Sequence, residues 1–151
     1  AGNVNVSKLG VRPHVTAGAG GFVDITARAR RIVFSGYFTA GAKLGIEGGE
    51  LTILQEGKVK KLVPAVEQVS FSGARAQAQG QQVTCVTERC VLELEPNGLT
   101  VTELAPGVDL ERDVLAMAGF RLRVASDLRC MDGALFRPEP MRLRLQGDAH
   151  D

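Results

Sequence analysis

The chain has 151 residues, the size of one ordinary domain, with 44% hydrophobic residues and a formal net charge of +1. That content supports a packed core, and so small a charge excludes a strongly electrostatic nucleic-acid binder. No run of 18 apolar residues and no basic segment leading into an apolar core is present, which argues against a membrane span and a signal peptide.

The opening stretch, AGNVNVSKLG, alternates Val4 and Val6 almost from the first residue, so a strand is expected with no element before it. Such a start suggests a chain that begins inside a fold. TAGAGGFVDITARARRIVFSG follows a loop containing Pro13 and carries Gly18, Gly20 and Gly21 within four residues. From Phe22 to about Arg31 the apolar pattern suits a helix, with Asp24 in its first turn and Arg28, Arg30 and Arg31 in its last, as the helix dipole favours. Ile32 to Phe34 form a brief continuous apolar run ended by Gly36, the mark of a buried parallel strand. Glycine loop, helix and strand together predict one layer of an α/β sheet.

The middle reads differently. Residues 42–64 alternate over short runs, with turns at Gly48-Gly49 and Glu56-Gly57, and predict an antiparallel meander of about three strands. VEQVSFSG predicts another strand, and ARAQAQGQQ a polar bridge or short helix. Residues 83–107 predict a hairpin turning at Pro96-Asn97-Gly98. DLERDVLAMAGF predicts a helix capped by Asp109, with Arg112 as its i,i+3 partner and Gly119 at its end. RLRVA predicts a last strand, and the polar, Pro-containing residues 133–151 an extended or partly disordered tail.

The chemistry-bearing residues are few. Cys85 and Cys90, read as lying on one strand, face opposite ways at an odd separation. With Cys130 they are expected to be reduced thiols of a cytoplasmic protein, with no metal site. His14 and His150 are the only histidines, too few for a His-rich metal centre or a Ser-His-Asp triad. The glycine stretch is the one candidate cradle. A helix N-terminus offers unpaired N–H groups, and glycines let a ligand approach them. The spacing is neither a P-loop nor G-x-G-x-x-G, so a tight structural turn and a ligand cradle both remain open on spacing alone.

GNVNVS, GAGGFVDI, EQVSFSG and VTERCVLEL…GLTVTELAPGVDLERDVLAMAGF, in that order, together resemble the C-terminal part of the β-subunit-like half of the family I coenzyme A transferases, the acetate/propionate/3-oxoacid enzymes. The resemblance runs from Gly2 to about Asp132, and NVNVSKLG with YFTAGAKLGIEGGELTILQEGKVKKLV is similar to the single-chain, broad-specificity acyl-CoA:acetate transferases. It implies an open, mostly parallel α/β sheet with flanking helices, plus the antiparallel hairpins. Residues 1–132 would form the C-terminal segment of the transferase domain and 133–151 the tail. It implies ping-pong transfer of coenzyme A, as substrate rather than bound cofactor, from an acyl-CoA to a short-chain carboxylate through a glutamyl-CoA thioester.

The same resemblance places Gly18, Gly20, Gly21 and Phe22 beside the acyl or pantetheine group, with the glycine amides as oxyanion donors. Asp24 either shapes that loop or serves the helix alone. Thr87-Glu88-Arg89 resembles the family's Thr-Glu-Lys/Arg element. It either orients the active-site region or is a strand-end ion pair facing solvent. Lys58–Lys61 and Arg28–Arg31 are a solvated hairpin face and a helix end, or contacts to coenzyme A phosphates. The family's nucleophilic glutamate precedes the segment matching Gly2. Glu47, Glu50, Glu56 and Glu95 sit at turns, and none follows a Ser or Gly in the way the family's nucleophile motif requires. The expectation is a C-terminal fragment or split-gene product, inactive alone, partnered by the missing half and forming a homo-oligomer. The alternative is a non-catalytic module binding coenzyme A or acyl-CoA, and a weaker one a hydrolase using Glu88 as base.

Overall fold

The computed structural model describes residues 1–8 and 16–141. His14, Pro13, His150 and the last ten residues of the expected tail lie outside the described residues.

Helix α1 is Phe22–Arg28, followed by strand β1, Arg31–Ser35. Asp24 and Arg28 occupy the dipole-matched ends. The helix stops short of Arg31 because Ala29 is already extended (ψ 132°). The Gln81 side chain donates to the carbonyls of Thr26 (2.9 Å) and Ala29 (2.6 Å), satisfying the helix end from a distant residue.

Two short ribbons follow. Strand β2 (Thr39–Ala40) pairs antiparallel with β5 (Val59–Lys60), and β3 (Lys43–Glu47) with β4 (Glu50–Gln55). Gly48 and Gly49 have φ of 62° and 88°, the left-handed pair that a two-residue hairpin demands. The expected meander is thus two separate ribbons. The strand expected at VEQVSFSG is absent, as is that at NVNVS: Val4 and Phe71 make one isolated antiparallel bridge instead. Helix α2 is Gly73–Ala78, capped by the Ser72 hydroxyl.

The main sheet runs β1-β6-β7-β8-β9, with β6 Gln82–Val86, β7 Cys90–Glu95, β8 Gly98–Leu104 and β9 Arg123–Cys130. β1 and β6 are parallel, as are β8 and β9, while β6–β7 and β7–β8 are antiparallel. The sheet is therefore mixed, not mostly parallel, and helices are few. Connection length explains this. Thr87–Arg89 and Pro96–Asn97 are too short to carry a strand across to a parallel neighbour, whereas residues 36–81 and 105–122 are long enough.

β1 also departs from expectation. Ile32 is buried and Phe34 half-buried on one face, but Val33 on the other is 64% exposed, so the strand is covered on one side only. It lies at the sheet edge in this chain.

Residues Leu110–Leu115 form a π-helical turn whose cap, Asp109, accepts from the Arg112 amide at 2.7 Å. Asp113 returns the favour by accepting from the Asp109 amide at 2.9 Å. The Gly119 amide ends the segment on the Leu62 carbonyl. Directly after Asp132, Gly133–Phe136 make a 3-10 turn, and Phe136 is buried in the main core with Phe38, Leu51, Leu92, Val101 and Val114. A smaller core of Ile32, Phe71, Ala76 and Val83 lies under α1 and α2. Cys85 and Cys90 fall on neighbouring strands, β6 and β7, rather than on one strand, and all three cysteines are free. Among the described residues no helix is long and apolar enough to cross a membrane.

Candidate functional site

β1 and β6 run the same way, so their carboxyl ends share one rim, the usual place for ligands in a parallel α/β unit. A crevice of about 220 Å³ opens there, lined by Gly36, Tyr37, Val86, Thr87 and Glu88. The head of α1 stands at the same end. Phe22, its first residue, packs on Phe34 near the end of β1, with ring centroids 5.9 Å apart.

The glycine loop is open. Gly18, Gly20 and Gly21 are exposed, and a side chain carbon at Gly18 or Gly20 would meet nothing within 4 Å. Gly20 has φ of 51°, which turns the chain into the helix, and Gly21 is the cap, accepting from Ile25 at 2.9 Å. No side chain caps the helix. Among the described residues the Gly20 and Gly21 amides donate no hydrogen bond, while the Phe22 amide donates to the Ala19 carbonyl at 3.1 Å. Asp24 is exposed in the first turn, and no hydrogen bond joins it to the loop among the described residues.

Glu88 and Arg89 are brought together, but not as solvent-facing charges. Arg89 is fully buried, 0% exposed. Its Nε donates to Glu88 at 3.2 Å. Its two terminal nitrogens grip Glu56 at 2.7 and 2.8 Å, and also donate to the Asp113 carbonyl at 2.8 Å and the Thr39 hydroxyl at 3.2 Å. All five guanidinium donors thus have partners. The cation also lies 5.0 Å from the Phe38 ring centroid. Thr39 donates to Glu56, and the Gly57 amide donates to the same carboxylate at 2.8 Å.

The hydrogen bond from Arg89 holds the Glu56 carboxyl down at about 2 against the opposing effect of burial. Burial works against the Arg89 charge, yet its bond to Glu56 and the charges of Glu56 and Glu88 raise it above its ordinary value. Asp113 is lowered chiefly by its hydrogen bond with Arg112. Burial pushes the Cys85 and Cys90 thiols up to about 11, so both are poor nucleophiles.

Both Glu88 oxygens are engaged, one by Arg89 and the other by the Phe38 amide at 2.7 Å. A carboxylate so held is a brace for the Phe38 loop rather than a free base. Glu56 and Phe38 were not anticipated as partners of Arg89. Glu56 lies 33 residues before Arg89 and Phe38 a further 18 before Glu56, so no sequence spacing marks either contact. A larger cleft of about 690 Å³ lies between the β3–β4 hairpin and Phe136–Met141, and no anticipated site residue lines it.

A parallel strand pair with an exposed glycine loop and a crevice at its carboxyl rim is the arrangement at which α/β units commonly take ligands. No family model matches the chain. Caffeate CoA-transferase of Acetobacterium woodii is 45% identical over 139 residues, which cover 90% of this chain and 26% of that protein. Acetate CoA-transferase YdiF of Escherichia coli (strain K12) is 41% identical over 150 residues, 99% of this chain and 28% of that protein. The crystal structure of the acyl-CoA transferase YdiF from E. coli O157:H7, a thioester complex with CoA, superposes with a TM-score of 0.90 at 40% identity, over 95% of this chain and 28% of that one.

The chain is therefore homologous to a partial segment of the family I coenzyme A transferases, as the motifs imply. It spans just over a quarter of the length of the relatives it matches.

Proposed function

We propose that this chain is the C-terminal segment of an acyl-CoA:carboxylate coenzyme A transferase, and that its glycine loop holds the thioester. Gly20 and Gly21 supply amides to the oxyanion that forms when a carboxylate adds to the thioester carbonyl. Phe22 packs beside the acyl or pantetheine portion. The attacking glutamate belongs to a preceding part of the protein. It takes coenzyme A as a glutamyl thioester, releases the first acid, and is freed when a second carboxylate accepts the coenzyme. The Arg89–Glu88 pair supports this from behind, because Glu88 fixes the Phe38 amide and with it the crevice wall.

The observation that carries this reading is the uncovered glycine loop at the carboxyl rim of β1 and β6, in a chain that superposes on an acyl-CoA transferase. Without the preceding part the chain is expected to be inactive. It is also expected to associate, with itself or with that part, through the open edge of β1, where Val33 is uncovered. The cytoplasm suits its free thiols.

The test is to join or co-express the chain with the N-terminal part of a YdiF-type enzyme and measure transfer of coenzyme A from acetyl-CoA to propionate. A hydroxylamine-sensitive coenzyme A adduct on the supplied glutamate is the expected result, lost on Gly20→Val. A complemented, folded protein with no transfer and no adduct would overturn the reading.

A further inference from the structure

Two residues that the glycine-loop reading does not use come together at Gly36: Tyr37, which lines the crevice, and Lys61, whose ammonium reaches Gly36. The chain reverses direction in burial between neighbours here: Phe38 is 1% exposed, and Tyr37 is 62% exposed. That contrast is enforced by hydrogen bonds on both sides. The Gly36 amide donates to the Val86 carbonyl at 3.1 Å, and the Phe38 amide to Glu88 at 2.7 Å. With Phe38 locked into the core under Arg89, Tyr37 has to project outward, along the crevice wall. An exposed aromatic on a loose loop carries little information, but this one sits on a backbone pinned at both ends.

Lys61 comes to the same place from the β5 ribbon. Its Nζ lies 3.7 Å from where a side-chain carbon on Gly36 would be. The ammonium therefore stands beside Gly36, one of the residues that line the crevice, and a side chain there would come into contact with it.

We propose that Tyr37 and Lys61 form a subsite for the small acid that takes or gives up coenzyme A, a monocarboxylate with an apolar body. Lys61 pairs with its carboxylate, and its carbon chain lies on the Tyr37 ring against Gly36 and Val86. The volume agrees. A crevice of about 220 Å³ equals about seven water volumes, room for the body of an acid of about four to six carbons. Lys61 is assigned to the acid rather than to the phosphates of coenzyme A, which stand a full pantetheine arm from the thioester. The subsite rests on the proposed transferase reading for its place in the reaction, but its binding does not depend on turnover.

Tyr37 is the only tyrosine and there is no tryptophan, so tyrosine emission of the chain reports on this position alone. The probes are hexanoate, hexan-1-ol and S-hexanoylpantetheine. Hexanoate is expected to change Tyr37 emission saturably, in the millimolar range that so small a ligand allows. Hexan-1-ol, with the same chain and no charge, is expected to bind at least about tenfold more weakly, and Lys61→Gln to weaken hexanoate about tenfold while leaving hexan-1-ol unchanged. An unsaturable response, equal binding of acid and alcohol, or unaltered hexanoate binding by the variant overturns the subsite.

Amide NMR with S-hexanoylpantetheine separates this from the reading beneath it. Shifts at Gly20 and Gly21 with no Tyr37 response to hexanoate leave the thioester cradle standing and remove the subsite. A charge-dependent Tyr37 response with still glycine amides keeps the subsite and removes the cradle.

Discussion

Two regions meet at the end of β6, and adjacent residues divide them. Inward lie Phe38 and Arg89, in a knot that ties the β1–β2 connection, the Glu56 turn and the π-helical turn to β7. Outward lie Tyr37, the Gly36 wall and the glycine loop, with few contacts and open space. The inner region spends every polar group on the protein itself. The outer region leaves a glycine loop, an aromatic ring and a lysine exposed at the surface. Rigidity inside permits unoccupied groups outside, because Glu88 belongs to both: one oxygen braces the crevice loop and the other answers Arg89.

If that division is right, the largest effect comes from cutting the knot. Arg89→Met removes a buried cation and strands Glu56, Glu88, the Thr39 hydroxyl and the Asp113 carbonyl. A loss of about 3–5 kcal/mol is expected in urea unfolding, a large share of the stability of an ordinary domain. Arg89→Lys recovers only part, since an ammonium cannot reproduce the fork that grips Glu56. A variant within 1 kcal/mol of the parent by the same measurement would show that the knot holds little.

Acid tests the same knot without mutation. The Glu56 carboxyl is lowered from 4.5 to about 2, so its pairing stabilises the fold fully above about pH 4.5. Protonation of the unfolded chain begins to withdraw that contribution below 4.5, and it is gone once pH falls through 2. A loss of about 1–2 kcal/mol is expected across this window, discounted because the carboxylate is partly wet. Asp113 is lowered in the same sense and adds to the fall. Urea midpoints at pH 5 and pH 3 measure the loss, and Glu56→Gln should flatten it.

The glycines draw the comparison most directly. At Gly57 a side-chain carbon would sit 2.5 Å from the Thr39 hydroxyl and 2.6 Å from the Ala40 carbonyl, against the inner knot. Gly57→Ala is expected to cost about 1–3 kcal/mol. At Gly18 the same carbon meets nothing. Gly18→Ala should stay within about 0.5 kcal/mol in urea unfolding. Equal losses would erase the distinction between the two regions.

Much of this was legible in sequence, and the exceptions have physical causes. The parallel strand after α1, the Gly48-Gly49 turn, the Pro96-Asn97 hairpin and the Asp109 cap all rest on local rules and are found. Val4 and Val6 alternate like a strand, but among the described residues their stretch makes isolated bridges, Val4 to Phe71 and Lys8 to Thr16, and alternation cannot say how much partner is present. The balance of parallel and antiparallel pairs depended on where short connections fell, which an α/β resemblance did not reveal. For the candidate site, the glycine loop was marked by composition. Glu56 was not, since a glutamate before a glycine reads as a turn, and only tertiary contact makes it the partner of Arg89. Tyr37 was invisible for a related reason: one aromatic after a glycine carries no period.

The smallest effect on stability is expected at the edge of the outer region, and it tests why that region is open. β1 presents Val33 at 64% exposure and α1 presents Ile25 at 72%. Single exposed apolar residues are ordinary on a protein surface. Here one lies on an edge strand whose far side has no partner among the described residues, the arrangement that invites another strand or chain. Val33→Glu should leave urea stability within about 0.5 kcal/mol, because the side chain has almost nothing to lose. It should nevertheless lower self-association in sedimentation, or complementation by the rest of a transferase, since a charge on an uncovered sheet face resists burial. If the substitution unfolds the chain instead, Val33 is packed inside this segment, and the outer region is closed by the segment's own residues rather than by what joins it.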